Sequence, residues 1–280
     1  MKKYTVITTF HEEGLKLYGQ KMIDTFEKNW DPSIDLVVYA ENCNPHYLTS
    51  RVKVIDLLAN SSDCKAFIQR HKNNPEAHGG LGPHNQNGWN AKKAFRWEAV
   101  RFSYKVFSIA HAVENIDTEW LIWLDADSHT HSKVDVSALD RLCPANASVC
   151  YLGRGEKYHS ECGWVAYNLT KANTKEFINR FVGMYKQDTI FNEKEWHDSY
   201  IWDVVRKQMT TEGMDFYNLN PYPNEKNIAG HPFINSELGK YMDHVKGDRK
   251  LNGHSKRIDI IAHQDHPYWQ QVRSNNVSKI

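Results

Sequence analysis

The sequence predicts an α/β domain with a mostly parallel central sheet flanked by helices. Three observations predict it: short runs of β-branched and aromatic residues recur along the 280-residue chain, amphipathic stretches separate them, and the most apolar run ends in paired carboxylates. Alternation of this kind favours an open parallel sheet covered by helices, with its ligand crevice at the carboxyl ends of the strands.

The first run, residues 4–10, is rich in β-branched and aromatic residues, and it ends in His11-Glu12-Glu13-Gly14, a loop that opens an amphipathic helix over residues 15–30. Asp31-Pro32-Ser33 breaks the chain before residues 34–40, a compact apolar run that suits a buried parallel strand. A third short strand follows at residues 52–55. Residues 78–88 form the one flexible tract, read either as a lid beside a site or as a surface loop. Helical periodicity through Phe95, Ala99, Phe102, Val106 and Ile109 predicts a helix over 91–115, with Arg101 and Lys105 on one face. Residues 119–124 (Glu-Trp-Leu-Ile-Trp-Leu) read as a central strand that delivers Asp125-Ala126-Asp127 at its carboxyl end. The plan is one domain over residues 1–250 and an extension, residues 251–280, packed on it or trailing from it.

With 35 Lys+Arg against 34 Asp+Glu, the chain has no long-range positive field of the kind that drives nucleic-acid or anionic-membrane binding, so an anionic ligand must be caught locally. The opening apolar run is too short for a secretory segment and no stretch approaches the roughly 18 apolar residues of a membrane span, which predicts a cytoplasmic protein with no integral membrane segment. Five cysteines without a Cys-x-x-Cys pair argue against a disulfide framework or a structural zinc site. The Asn-x-Ser/Thr matches at Asn60, Asn146, Asn168 and Asn276 carry little weight without a secretory signal.

Two carboxylates one residue apart at the end of a buried strand repel each other, and burial makes the repulsion worse. A divalent cation resolves it. Oxygen ligands of this type suit Mn2+ or Mg2+, which keep open positions for substrate phosphates. The strand before Asp125 and the polar Ser128-His129-Thr130-His131 after Asp127 strengthen a short motif; His129 and His131 are read as histidines that either approach the metal or are satisfied elsewhere.

The run 120–127, preceded by the helix bearing Arg101 and Lys105, resembles the strand and Asp-x-Asp motif of glycosyltransferases with the GT-A fold. The resemblance covers roughly residues 3–250 and implies a single GT-A-like, Rossmann-like domain. It implies that Asp125 approaches the nucleotide ribose and the metal, that Asp127 binds the metal directly, and that Thr8, Thr9, Phe10 and Glu41 lie by the nucleotide; Arg101 and Lys105 are read either as contacts to the diphosphate or base or as an ordinary exposed helix face. Near the C-terminus, His244-Val245-Lys246-Gly247-Asp248-Arg249-Lys250 reads His-x-x-Gly-x-x-Lys and resembles a run of the retaining glycogenin-like and lipopolysaccharide galactosyltransferase group, with Leu251-Asn252 where that group has Pro-Trp. That likeness implies His244 as third metal ligand, Gly247 and Lys250 on the leaving diphosphate, and a UDP-sugar donor, glucose or galactose, transferred with retention to a carbohydrate or glycosylated acceptor. A cation and a lysine at that place stabilise the charge that grows on a departing nucleoside diphosphate. The alternative is a solvated charged turn.

The segment 160–168 resembles the Gly-containing segment lining the sugar and acceptor pocket, which makes Glu161 and Trp164 pocket candidates. Asp198 stands at the start of an apparent helix, as an acceptor base, a carboxylate near the anomeric carbon, or a cap. Nine tryptophans and fourteen tyrosines are read as core unless the site claims them; Trp164, Trp196 and Trp202 lie nearest the proposed segments. Two other readings stand beside transfer. A phosphohydrolase of the haloacid dehalogenase type normally has Thr where His129 stands and carries its motif near the N-terminus; a non-catalytic nucleotide-sugar or carbohydrate-binding module would keep the fold without turnover.

Overall fold

A computed structural model describes residues 1–275; the last five residues of the expected extension, Asn276 among them, lie outside the described residues. Strand β1 (Lys2–His11) is buried from Tyr4 to Thr8. The helical stretch after it starts earlier than the periodicity suggests, at Glu12, with one π turn over Leu15–Gly19 before α1 (Gln20–Asn29). β2 (Asp35–Glu41) and β3 (Val52–Asp56) follow, then α2 (Ser62–His71). The 91–115 region is two elements, a 3-10 turn over Ala91–Trp97 and α3 (Ala99–Asn115), because Glu98 leaves helical geometry at ψ 56. The tract 78–88 is organised by its own bonds, Trp89 Nε1 donating to the Gly79 carbonyl and Asn85 Nδ2 to the Gly80 carbonyl.

β4 (Thr118–Leu124) leads into β5 (Ser128–Thr130) and α4 (Val136–Leu142), followed by β6 (Val149–Leu152), β7 (Glu161–Asn168), α5 (Ala172–Lys186), α6 (Asp198–Thr211) and β8 (Phe216–Asn218). β9 (Met242–His244) and α7 (Pro267–Asn275) complete the chain. The main sheet has seven strands in the order β3-β2-β1-β4-β7-β6-β8. β1 to β4 are mutually parallel where they pair, and β7 runs against β4 and β6.

Alternation along each strand sends side chains to two cores. Ile7, Val37 and Trp123 pack beneath α3, α5 and α6; Val6, Val38 and Trp164 pack on the opposite face with Phe26 and Trp269. All five cysteines are buried and unpaired. Residues 251–275 pack onto the body: Trp269 is fully buried and its Nε1 donates to the Gly239 carbonyl at 2.7 Å. No helix of the described residues is long and apolar enough to cross a membrane.

Two features of this plan place the site. β1 has β2 on one side and β4 on the other, so the chain order reverses at β1 and leaves a crevice at the strands' carboxyl ends. The antiparallel β7 brings its amino end to the carboxyl end of β4, and the Asp125 amide donates to the Gly163 carbonyl at 2.8 Å.

Candidate active site

A cavity of about 780 Å3 opens at that crevice. The residues expected as metal ligands (Asp125, Asp127 and His244), as nucleotide contacts and as catalytic groups line it except Thr8, whose side chain is buried in the core beneath Phe10. Trp164, Trp196 and Trp202 also stay out of it, each at most 1% exposed, filling cores as aromatic side chains most often do.

The short ribbon of β5 and β9 is what completes the site. Ser128 pairs with His244 in register, and the Val245 amide donates to the Asp127 carbonyl at 2.9 Å. His244 Nε2 thereby lies 3.1 Å from Asp127 Oδ1 and 3.8 Å from Asp125 Oδ2, and ligand atoms of all three residues lie within 4.8 Å of one another. Lys250 Nζ reaches Asp127 Oδ2 at 3.0 Å and lies 4.6 Å from the centroid of the Tyr18 ring. Gly247, at φ +64, makes the turn between His244 and Lys250 in a conformation that favours glycine.

The carboxylates have separate environments. Asp125 accepts from Trp123 Nε1 at 2.6 Å and from Lys105 Nζ at 3.1 Å, yet burial raises its carboxyl above the ordinary carboxylate value. Burial opposes ionisation at Asp127 too, but there His244 and Lys250 outweigh it and hold the carboxyl well below that range. Burial likewise disfavours charge on His244, and Asp127 overcomes it, so the imidazole pKa is raised. The point shared by these three side chains therefore favours positive charge.

Lys105 is buried and held in place, donating to the Cys162 carbonyl at 2.6 Å and pairing with Asp198 Oδ2 at 2.7 Å. Asp198 is thus a fixed anionic partner of Lys105 at the first turn of α6. The cap of that helix is His197, whose Nδ1 accepts from the Tyr200 amide. Glu161 is salt-bridged to Lys246, and despite burial that lysine and His244 keep it ionised. At the far end of the cavity Thr9 Oγ1 donates to Glu41 Oε1 at 2.9 Å, and burial pushes the Glu41 carboxyl up to about 7. Arg101 lines the same end and pairs with Glu98 at 2.6 Å.

His129 and His131 turn away from Asp125, Asp127 and His244. His129 Nε2 bonds the Tyr268 hydroxyl at 2.9 Å and His131 stacks on the Tyr268 ring at 3.9 Å, so both serve to hold α7. Sequence reasoning missed Lys246, Tyr18 and Trp123, and also a cluster formed by His159, Glu195 and His197 with Arg96. Lys246 lies inside the His-x-x-Gly-x-x-Lys run and was available there; the cluster's signal was the Glu195-Trp196-His197 alternation. The cluster does not suit a metal. The Tyr200 amide takes Nδ1 of His197, which leaves the proton on Nε2 to donate to Glu195 at 3.1 Å, and Arg96 already neutralises Glu195 at 2.9 Å.

No protein-family model and no curated protein matches the chain. Among solved structures, it is similar to the apo form of mouse xyloside xylosyltransferase 1, with 10% identity, a TM-score of 0.45, and coverage of 78% of this chain and 85% of that one. It is also similar to the apo structure of the bifunctional glycosyltransferase WbbM, with 12% identity, a TM-score of 0.50, and coverage of 99% of this chain and 52% of that one. The chain thus spans about half the length of WbbM. At that identity the likeness speaks for fold alone: the mixed α/β architecture, with one mostly parallel seven-stranded sheet flanked by helices, is one found in a glycosyltransferase.

Proposed function

We propose that the chain is a metal-dependent glycosyltransferase that moves a hexose, glucose or galactose, from a UDP-sugar to a carbohydrate or glycosylated acceptor with retention of configuration. The observation that carries this reading is the convergence of Asp125, Asp127 and His244 on one point of a large cavity, with Lys250 beside them. Two carboxylates and one imidazole nitrogen make a donor set suited to Mn2+, and less well to Mg2+. Nε2 of His244 faces both carboxylates while its Nδ1 makes no hydrogen bond and lies 3.9 Å from Glu161 Oε1, which fits a ring that aims Nε2 at a ligand and has a carboxylate behind it. Bound there, the cation would offset the negative charge of the donor's diphosphate.

The chain's own residues then have distinct tasks. Glu41 and Thr9 offer hydrogen bonds at the nucleotide end, with the Arg101 guanidinium on the same wall. Lys250 supplies a cation for the leaving group, and Lys105 fixes Asp125 and Asp198 relative to each other. In transfer, an acceptor hydroxyl oxygen bonds to the anomeric carbon while the bond from that carbon to the diphosphate oxygen breaks. UDP leaves with the bonding electrons and takes the hydroxyl proton. Retention suits this site because Lys105 holds Asp198 through Oδ2 as the fixed counter-ion of a buried lysine, a role that asks no proton transfer of it.

The deciding experiment is thermal unfolding with UDP and Mn2+. A ligand at a hundred times its dissociation constant stabilises by roughly 2.7 kcal/mol, a shift of about 5 °C for a chain of this size. Asp127→Asn is expected to abolish that shift while the ligand-free melting temperature stays within a few degrees, and EDTA is expected to do the same to the unaltered chain. An equal shift in both proteins would overturn the metal assignment, and binding without release of UDP from any UDP-hexose would leave a binding module. Configuration has its own test, since NMR of fresh product from an α-linked donor is expected to show an α-glycoside. A β-glycoside, with activity lost in Asp198→Asn, would recast Asp198 as the base of an inverting enzyme.

A further inference from the structure

A second cavity, of about 830 Å3, adjoins the first on the side away from the nucleotide end. Its walls are the β6–β7 connection, with Arg154, Lys157 and Tyr158, and the end of β8 with the segment after it, with Asn218, Asn224 and Lys226. Arg154, Lys157, Tyr158 and Ser160 line both cavities, so the two form one continuous path. Glu41 and Arg101 mark one end of that path and Lys226 the other.

The lining is cationic and aromatic. Arg206 is offset by Asp203 at 2.7 Å, but among the described residues no ion pair reaches Arg154, Lys157 or Lys226, and Glu156 is the one acidic residue in the wall. Arg154 lies 5.1 Å from the centroid of the Tyr158 ring, and Tyr158 is 44% exposed, leaving ring surface open to the cavity. Arg154 donates to the Ala229 carbonyl, and in a chain whose formal net charge is +1 cations without an ion pair gathered in one concavity make a local field that selects anions. Guanidinium and ammonium groups bind carboxylate or phosphate, and an exposed aromatic face suits a sugar ring. The connection is also built for close approach. Gly155 holds φ +67, a conformation that favours glycine, and a Cβ there would lie 2.5 Å from Asn224 Oδ1 and 3.1 Å from the Pro223 carbonyl oxygen, so the two walls approach closely at that position.

We propose that this cavity is the acceptor subsite and that it takes an anionic saccharide, one bearing phosphate or carboxylate. The proposal rests on the donor site described above, because the shared wall is what would bring the acceptor hydroxyl to the transferred sugar.

The test is calorimetric titration of the whole chain, saturated with UDP and Mn2+, using glucose 6-phosphate and digalacturonate as charged probes, maltose as the neutral probe and inorganic phosphate as the bare anion. At least one charged saccharide is expected to bind ten times more tightly than maltose or more, and the better of the two identifies phosphate or carboxylate as the recognised group. Lys226→Glu, which reverses a charge that lines the second cavity and not the first, is expected to bring its affinity down to that of maltose while UDP and Mn2+ bind as before. The proposal fails if charged and neutral sugars bind alike, if none binds, if the Lys226 variant binds the charged sugar unchanged, or if inorganic phosphate binds as tightly as the sugar phosphate. Failure of the donor site would look different, since UDP and Mn2+ would then not bind the unaltered chain.

Discussion

Glu41 sits where burial and chemistry pull against each other, because a carboxyl that has lost water resists ionisation. In the folded chain its pKa is pushed from 4.5 up to about 7, so between these values it keeps a proton that the unfolded chain has released. The stability this supplies is fully present below pH 4.5 and is lost as pH rises through 7. Glu41→Gln, which cannot ionise, is therefore expected to gain on the unaltered chain by on the order of 2 kcal/mol between pH 5 and pH 8. Urea unfolding at the two pH values measures it; parallel curves would show that Glu41 ionises normally. A carboxyl poised this way can donate as well as accept a hydrogen bond near neutrality, which suits the polar edge of a nucleobase. Asp125 and Asp127 illustrate the same physics in a pair, where one strand end holds two carboxylates with opposite pKa shifts set by which cations face them.

At the scale of elements, β7 and the β5–β9 ribbon assemble the proposed metal site out of chain segments far apart in sequence. His244 can stand over Asp127 because β7 offers Gly163 beneath it. A Cβ at Gly163 would lie 2.6 Å from His244 Cε1 and 2.9 Å from its Nδ1, with backbone on one side and a packed ring on the other. The ring has little room to retreat, since Phe233 lies 5.0 Å away by ring centroid and His231 5.8 Å. Gly163→Ala is expected to weaken Mn2+ binding in the presence of UDP by about 10- to 100-fold without removing any ligand. Calorimetry on the variant checks it, and an unchanged dissociation constant would show that His244 is not held where the metal needs it.

For the whole molecule, the C-terminal segment is a brace behind the site. The Tyr268 hydroxyl donates to Asp243 Oδ2 at 2.8 Å and bonds His129, and these two residues face each other across the ribbon that carries His244. Trp269 anchors that brace in the core, and Trp269→Ala is expected to cost about 3–5 kcal/mol in urea unfolding. It is also expected to weaken UDP and Mn2+ binding by loosening the ribbon. Lost stability with unchanged ligand affinity would separate the brace from the site.

What the amino-acid sequence determined by itself was local. Residues 119–124 read as a buried strand, with Asp125 and Asp127 left at its end, and the 3.6-residue period set Arg101 and Lys105 on one helix face, where both line the cavity. The same local logic stopped short at Glu98, where the period runs on but the helix does not, and at Thr8 and Trp164, where strand alternation and core packing took the side chain away from the cavity. Tertiary structure alone decided that Glu161 pairs with Lys246, that Lys105 joins Asp125 to Asp198, and that two loops enclose a second cavity. The physical reason is that periodicity and turn chemistry act over a few residues, whereas the charge that each carboxylate meets depends on which distant strand folds back beside it.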